Sequence, residues 1–295
     1  MWHFGLATGC RRGVWARDLG VYAGSVPAGE ERERGVPALE ALDVARRAAQ
    51  AGGEVLIRGL GRDKEVRGSR TSIVTWADGE SQATIERLVL EAYPSHRVLG
   101  EEGRAGSLTS PNLWIVDPLD GTSNYAHDFP FYNVSVAYAE HGQVLAGAVY
   151  DPLRQELFCA ARGHGATLNG QPLRVSGVHD PARAFVFSGF QSDDPAVVSL
   201  AVRRLERLAN TLRAVRIPGS PALSLCYVAA GRAEGFCHSA IHSWDVAAGA
   251  IVVQEAGGTV TSYDAVPLDI DIESASSILA SNGALHTELL ALLRV

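Results

Sequence analysis

Trp114-Ile115-Val116-Asp117-Pro118-Leu119-Asp120-Gly121-Thr122-Ser123-Asn124-Tyr125 is the stretch on which the reading of this chain turns. Leu113 to Val116 is a short apolar run of strand formers. Pro118 is expected to stop it, because proline has no amide to give to a ladder. Asp117 and Asp120 then sit at the carboxyl end of a strand, where a turn containing Pro and Gly can project both carboxylates to one side. Magnesium takes hard oxygen ligands, commonly one or two carboxylates per ion, with water and substrate oxygens completing an octahedron. The Leu119 carbonyl is also available there. The same two acids could equally cap the turn. Gly121-Thr122-Ser123 is expected to open a helix or tight turn whose free N–H groups can receive phosphate oxygens, with Gly121 letting the backbone approach closely.

Three other places add acids. Glu101 and Glu102 follow Gly100 after a short Val98-Leu99 strand, and adjacent acids are costly unless a cation or solvent takes them; as a pair they also fit an exposed loop. Asp245, in Trp244-Asp245-Val246-Ala247-Ala248-Gly249, falls at the expected start of a helix, and Asp78 immediately precedes a helix expected from Gly79 to Tyr93. Taken singly, each fits an N-cap.

The surrounding pattern is α+β, then α/β. Leu39, Leu42, Ala45 and Ala49 recur on one helical face from Pro37 to Gly59, and Ile85, Leu88, Val89 and Ala92 hold the same period before Pro94. Asn133 to Cys159 turns to β, with a turn at Glu140-His141-Gly142 and a further hairpin signal at Asn169-Gly170. From about residue 181 elements alternate: strand 184–187, helix 196–208, strand 215–217, helices 222–230 and 246–255, strands 259–261 and 278–280, and a terminal helix. This divides the chain into an extension over residues 1–36, expected to be poorly ordered, an α+β part over 37–180 with most of the acids, and an α/β part over 181–295 with Asp245.

A net charge of −7 argues against general affinity for nucleic acid polymers or anionic membranes, which reward basic patches, and no apolar run reaches the length of a membrane span. The amino-terminal residues lack the apolar core of a secretory signal. Four cysteines without a C-x-x-C pair suit free thiols in a reducing cytoplasm. His238 and His242, four apart and next to Cys237, raise a zinc site, but no further ligand stands at finger-like spacing. Gly163-x-Gly165 reads as loop chemistry, since no strand-to-helix unit of nucleotide-binding form surrounds it.

The strings Gly100-Glu101-Glu102, Trp114 to Asn124 and Trp244 to Gly249, in this order and with Val74-Thr75-Trp76-Ala77-Asp78 upstream, resemble the inositol monophosphatase family of lithium-sensitive, magnesium-dependent phosphatases, from about Pro37 onward. The resemblance implies a layered α/β/α/β/α sandwich, a homodimer, and two to three Mg2+ ions. It implies that Glu101, Asp117 and the Leu119 carbonyl hold the first ion, that Asp117, Asp120 and Asp245 hold the second, and that Asp78 with Glu101 places a weaker third. It further implies that Glu101 and Thr122, with Asp78, orient and deprotonate the attacking water. Substrate contacts fall to Asp120, Gly121, Thr122, Ser123, Gly219, Ser220, His238 and Asp245. One departure bears on substrate: seven residues before Asp245, where relatives acting on inositol phosphate commonly place a glutamate, this chain has His238. That opens the alternatives of fructose 1,6-bisphosphate, a nucleotide 3'-phosphate or histidinol phosphate. From another class comes a catalytically weak, metal-binding regulatory protein that keeps the fold.

Overall fold

The computed structural model describes residues 36–62, 67–68, 73–105, 110–267 and 276–294. The expectation for residues 1–36 lies outside them except at Val36, which packs against the core beside the first helix. That helix, α1 (Ala38–Gly59), buries a stripe of Ala41, Ala45, Ala48, Ala49 and Leu56. A two-stranded hairpin follows, β1 (Arg67–Gly68) and β2 (Ile73–Val74). The second helix, α2 (Trp76–Ala92), begins one turn earlier than Gly79, because Thr75 is its N-cap: the Ala77 amide donates to the Thr75 hydroxyl, and the Thr75 amide donates to Asp78 at 2.7 Å. Asp78 is therefore the third helical residue of a capping box, not the cap itself.

The first large sheet holds β3 (Arg97–Gly100), β4 (Gly103–Ala105), β5 (Asn112–Asp120), β6 (Asn133–Glu140), β7 (Gln143–Asp151), β8 (Glu156–Ala161), β9 (Ala166–Leu168) and β10 (Gln171–Pro172), with the short α3 (Thr122–Ala126) between β5 and β6. The strand order is β10-β9-β8-β7-β6-β5-β3-β4, and only β3 and β5 run parallel. The second sheet comes from β11 (Phe185–Gly189), β12 (Ala214–Arg216), β13 (Gly235–Ile241), β14 (Thr259–Thr261) and β15 (Ser276–Ser281), in the order β12-β11-β13-β15-β14. Its helices are α4 (Pro195–Thr211), α5 (Pro221–Ala229), α6 (Ser243–Glu255) and α7 (His286–Leu293).

Three hydrophobic clusters fix the layers. Leu56 of α1 and Ile85 of α2 pack on Trp114, Val136 and Tyr138 on one face of the eight-stranded sheet. Leu225 of α5 and Ile251 of α6 fill the space between the opposite face, at Ile115 and Phe158, and the second sheet, at Phe236 and Ile278. Leu208 of α4 and Leu289 of α7 cover the outer face of that sheet at Val186 and Leu279. The result is the five-layered α/β/α/β/α sandwich that the family resemblance implies.

Two local expectations are corrected. Pro118 does not end β5: the strand runs on to Asp120 through an irregularity in its pairing with β6, where Asp117 faces Ser135 and Asp120 faces Asn133. Three steps along β5 match two along β6, which is a β-bulge, and a bulge tolerates the missing proline amide. The segment before Asp245 also holds a strand, β13, at the centre of the second sheet. His238 lies on that strand and His242 is the N-cap of α6, so the two histidines do not share a helical face.

Candidate active site

In a regular strand, residues three apart point to opposite faces. The extra residue of the bulge cancels that inversion, so Asp117 and Asp120 can face the same space. The amide of Leu119 donates to Asp117 Oδ1 at 3.0 Å, and the Ser81 hydroxyl of α2 donates to the Pro118 carbonyl at 2.8 Å, holding the bulge from beneath. Gly121 closes it at φ +93°, where a Cβ would stand 3.0 Å from the Phe131 carbonyl oxygen. No other residue type takes that conformation in that space without strain.

The bulge opens into a cleft of about 480 Å³, whose walls include Glu101, Asp117, Leu119, Asp120, Gly121, Thr122, Ser123, Gly219, His238 and Asp245. The amino-terminal turn of α6 delivers Asp245, whose carboxylate accepts the His242 amide at 2.9 Å while the His242 ring stacks on Trp244 with centroids 4.6 Å apart. Oxygen atoms of Asp117, Asp120 and Asp245 all lie within 4.8 Å of one another. Among the described residues this is the one cluster of at least three acid, histidine or cysteine side chains able to hold a metal ion. The zinc reading of Cys237, His238 and His242 therefore finds no support.

Glu101 lines the same cleft outside that trio and keeps more than a third of its surface open to solvent. Its turn is anchored by Gln82 of α2, whose side-chain oxygen accepts the Glu102 amide at 3.0 Å and whose amide group fills the space where a side chain on Gly100 would stand. Asp78 and Ser220, two of the expected contacts, stand behind the walls. Asp78 is fully buried: Thr75 supplies two donors to its Oδ2 and the Thr122 hydroxyl lies 3.1 Å from its Oδ1. The single Thr122 hydroxyl proton is shared between Asp78 and the Leu119 carbonyl, 3.0 Å away. Ser220 donates to Asp120 Oδ2 at 2.7 Å. The following Pro221 is the first residue of α5, a position where the missing amide costs nothing.

Crowded acids in a dry pocket resist ionising. Burial, then Glu101, Asp120 and Asp245, hold Asp117 well above the usual carboxylate range. Burial pushes Asp120 to about 6 against the hydrogen bonds of Ser220 and Asn133. Burial and then Asp120 push Asp245 to about 7. Desolvation, followed by Asp245, Glu102, Asp78 and Asp120, lifts Glu101 to about 8; water at its open side tempers that desolvation, and the like charges remain. His238 moves the other way, to about 4, because it is buried. Its Nδ1 accepts the Ala240 amide at 3.3 Å, which leaves a neutral ring with its proton on Nε2.

The donor set fits a hard divalent cation: all ligands are oxygens and all are anionic or carbonyl. A cation removes the repulsion that the empty cluster carries. The sequence reading missed the side chains that build the site from behind, Ser81, Gln82, Asn124 and Asn133. Asn124 joins α3 to the second half of the chain, its amide donating to the Phe131 carbonyl at 2.7 Å and the Pro218 carbonyl at 2.8 Å. A signal existed for Ser81, four residues before Ile85 on the buried face of α2. The Gly163-x-Gly165 loop is settled as structural, since both glycine amides donate to Glu255 at 2.9 Å.

Five layers with an acidic pocket at a strand bulge define a phosphatase fold of the kind that acts on small phosphate esters. Residues 39–295 match the description "Inositol monophosphatase family", and the chain belongs to that family. It is 38% identical over 251 residues to inositol-1-monophosphatase of Synechocystis, covering 84% of this chain and 86% of that one. It is 37% identical over 227 residues to Nus factor SuhB of Pasteurella multocida, covering 76% and 85%. The solved inositol monophosphatase of Anabaena superposes with a TM-score of 0.77 at 37% identity, over 86% of this chain and 95% of that one.

Proposed function

We propose that this protein hydrolyses a small soluble phosphate monoester with magnesium as its cofactor. One observation bears most of the weight: two buried carboxylates of β5 and a half-buried one of α6, more than a hundred residues later, offer oxygens within 4.8 Å of one another. Asp117, Asp120 and Asp245 would hold one ion, and Asp117, Glu101 and the Leu119 carbonyl another. A weaker third would rest on Glu101. Asp78 contributes through Thr122, both its oxygens being engaged. Bound magnesium supplies positive charge to the phosphoryl and leaving oxygens and acidifies water.

The chain's own residues do the rest. With its proton committed inward, the Thr122 oxygen presents lone pairs to the cleft and accepts from the attacking water. Glu101, at the open lip, takes the water's proton. The amides of Gly121, Thr122 and Ser123 precede the first helical bond of α3, Tyr125 N–H to the Gly121 carbonyl, and would receive phosphate oxygens. Thr122→Val should lower kcat about 100-fold with little change in KM, measured by steady-state phosphate release; an unchanged kcat removes Thr122 from the mechanism.

His238 and Gly219 face the part of the cleft left for the alcohol. A neutral His238 donating from Nε2 suits a hydroxyl or another uncharged acceptor, which favours an inositol phosphate or sugar monophosphate over bisphosphates. The test is phosphate release from inositol phosphates, fructose 1,6-bisphosphate, adenosine 3',5'-bisphosphate, histidinol phosphate and NADP, with magnesium and with EDTA. On the preferred substrate, His238→Ala should raise KM several-fold and spare kcat. Lithium at millimolar levels should inhibit. The 37% identity to a Nus factor supports a second reading, a regulatory protein on the same fold; magnesium binding with activity on no monoester would favour it. A homodimer, checked by light scattering, and a cytoplasmic location belong to the same proposal. Cys159, Cys226 and Cys237 are free thiols, and no described helix is long and apolar enough to cross a membrane.

A further inference from the structure

Oδ2 of Asp120 is met by three donors. Asn133 Nδ2 lies at 2.7 Å, the Ser220 hydroxyl at 2.7 Å and the Ala222 amide at 2.8 Å. Asn133 Nδ2 also reaches Ser220 Oγ at 2.9 Å. These side chains are sealed from solvent, Asn133 at 0%, Ser220 at 1% and Asp120 at 3% exposure. The direction of every bond follows from chemistry. The carboxylate can only accept, so the Ser220 proton points to Asp120, and the Ser220 lone pair is then free to accept from Asn133. Only the NH2 end of Asn133 can face two acceptors, which fixes the amide orientation. The Leu223 amide, next along α5, also steadies the ionised carboxylate.

Asn133 bears a cost for this arrangement. Its Oδ1 is buried without a hydrogen-bond partner, and a buried orphan acceptor destabilises a fold. A purely structural side chain at this point of β6 could be apolar, like Val134 beside it, and avoid that cost. Asn133 stands directly opposite Asp120 across the bulge, at the register position where a donor can reach the carboxylate. Ser220, the N-cap of α5, leaves its own helix uncapped by its side chain and turns its hydroxyl to Asp120, which takes the Ala222 amide in its place.

We propose that Asn133 is a positioning residue for cation binding: with Ser220 and the α5 amide it saturates Oδ2 of Asp120 and locks the carboxylate so that Oδ1 alone is offered to a metal ion. The inference rests on the metal-dependent reading above. Outer-layer partners of metal-binding carboxylates set ligand orientation, and their loss weakens metal affinity or activity about 10- to 100-fold. The triangle also ties the first sheet, through β5 and β6, to the amino terminus of α5, so that Asp120 is aimed by both halves of the chain.

The test compares the parent with Asn133→Ala and Asn133→Leu in the full chain. The leucine variant keeps the branching and heavy-atom count and removes the orphan oxygen. Calorimetric titration with magnesium alone, without substrate, should show Kd at least about tenfold weaker in both variants. Both variants should gain less in melting temperature on adding magnesium than the parent does. A merely structural Asn133 predicts the contrary: melting temperatures shifted equally with and without magnesium, and an unchanged Kd. That result overturns the inference and leaves the parent reading standing. A parent protein that binds no magnesium ends both.

Discussion

Asp117→Asn abolishes magnesium-dependent phosphate release, a loss of about 10³-fold or more, while the metal-free variant melts above the parent protein. The two halves of this result have one cause. Asp117 is 1% exposed and faces Glu101, Asp120 and Asp245. Its charge is disfavoured when no cation is present, and two ions would share it when they are bound. Asparagine is isosteric and its carbonyl can still accept the Leu119 amide, so the bulge keeps its shape. Removing one of several buried like charges then relieves repulsion, by about 1–2 kcal/mol on the scale of a unit shift in pKa. The neutral amide cannot serve two ions, and metal contributes several kcal/mol of transition-state stabilisation in such sites, which converts to the stated rate loss. Steady-state phosphate release with scanning calorimetry in EDTA checks both. A stable variant with parental turnover refutes the assignment; a variant that loses activity and also melts lower shows that Asp117 supports the fold instead.

The meeting of Asp117, Asp120 and Asp245 was legible through the family resemblance, since each taken singly also fits a turn or an N-cap, and their oxygens do lie within 4.8 Å of one another. The helices on the outer layers were legible for a different reason, one face being apolar and the other wet, as in α1 and α4. Legibility fails where both faces are covered. β13 lies between α5 and α6 on one side and α4 and α7 on the other, so Phe236, Cys237 and His238 are all buried in succession, and the alternation that marks a strand disappears. Pro118 misled in the opposite direction. Proline usually ends a central strand, yet at a bulge its missing amide has no partner to lose. The residues behind the carboxylates, Gln82, Asn124 and Asn133, are polar side chains whose role is set by partners as far as 20, 94 and 87 residues away. No local pattern encodes such a pairing. Asp78 shows how two readings of one residue can both hold: it completes the cap of α2 and orients Thr122.

Removing divalent metal should destabilise the protein, and the deficit should grow with pH. In the metal-free fold Asp120 titrates at about 6, Asp245 at about 7 and Glu101 at about 8, with Asp117 also raised, whereas unfolded carboxyls ionise near 4. Between about pH 4 and pH 8 the folded state therefore holds more protons than the unfolded one. Stability is fully present below the unfolded values and is lost as pH rises through the folded ones. Each fully buried acid in this state takes away about 1.4 kcal/mol per pH unit; Glu101 takes less, being open to solvent. Magnesium acts with the opposite sign, since it binds the ionised carboxylates and competes with protons that are scarcer at high pH. At about 100 times its Kd it adds about 2.7 kcal/mol, which for a chain of this size is a rise in Tm of roughly 4–5 °C. Melting curves in EDTA and in magnesium should therefore separate by about 4 °C or more at pH 8 and converge near pH 5. Curves that coincide throughout would mean that the three carboxylates meet in the fold without gathering a cation, and the phosphatase mechanism would lose its foundation.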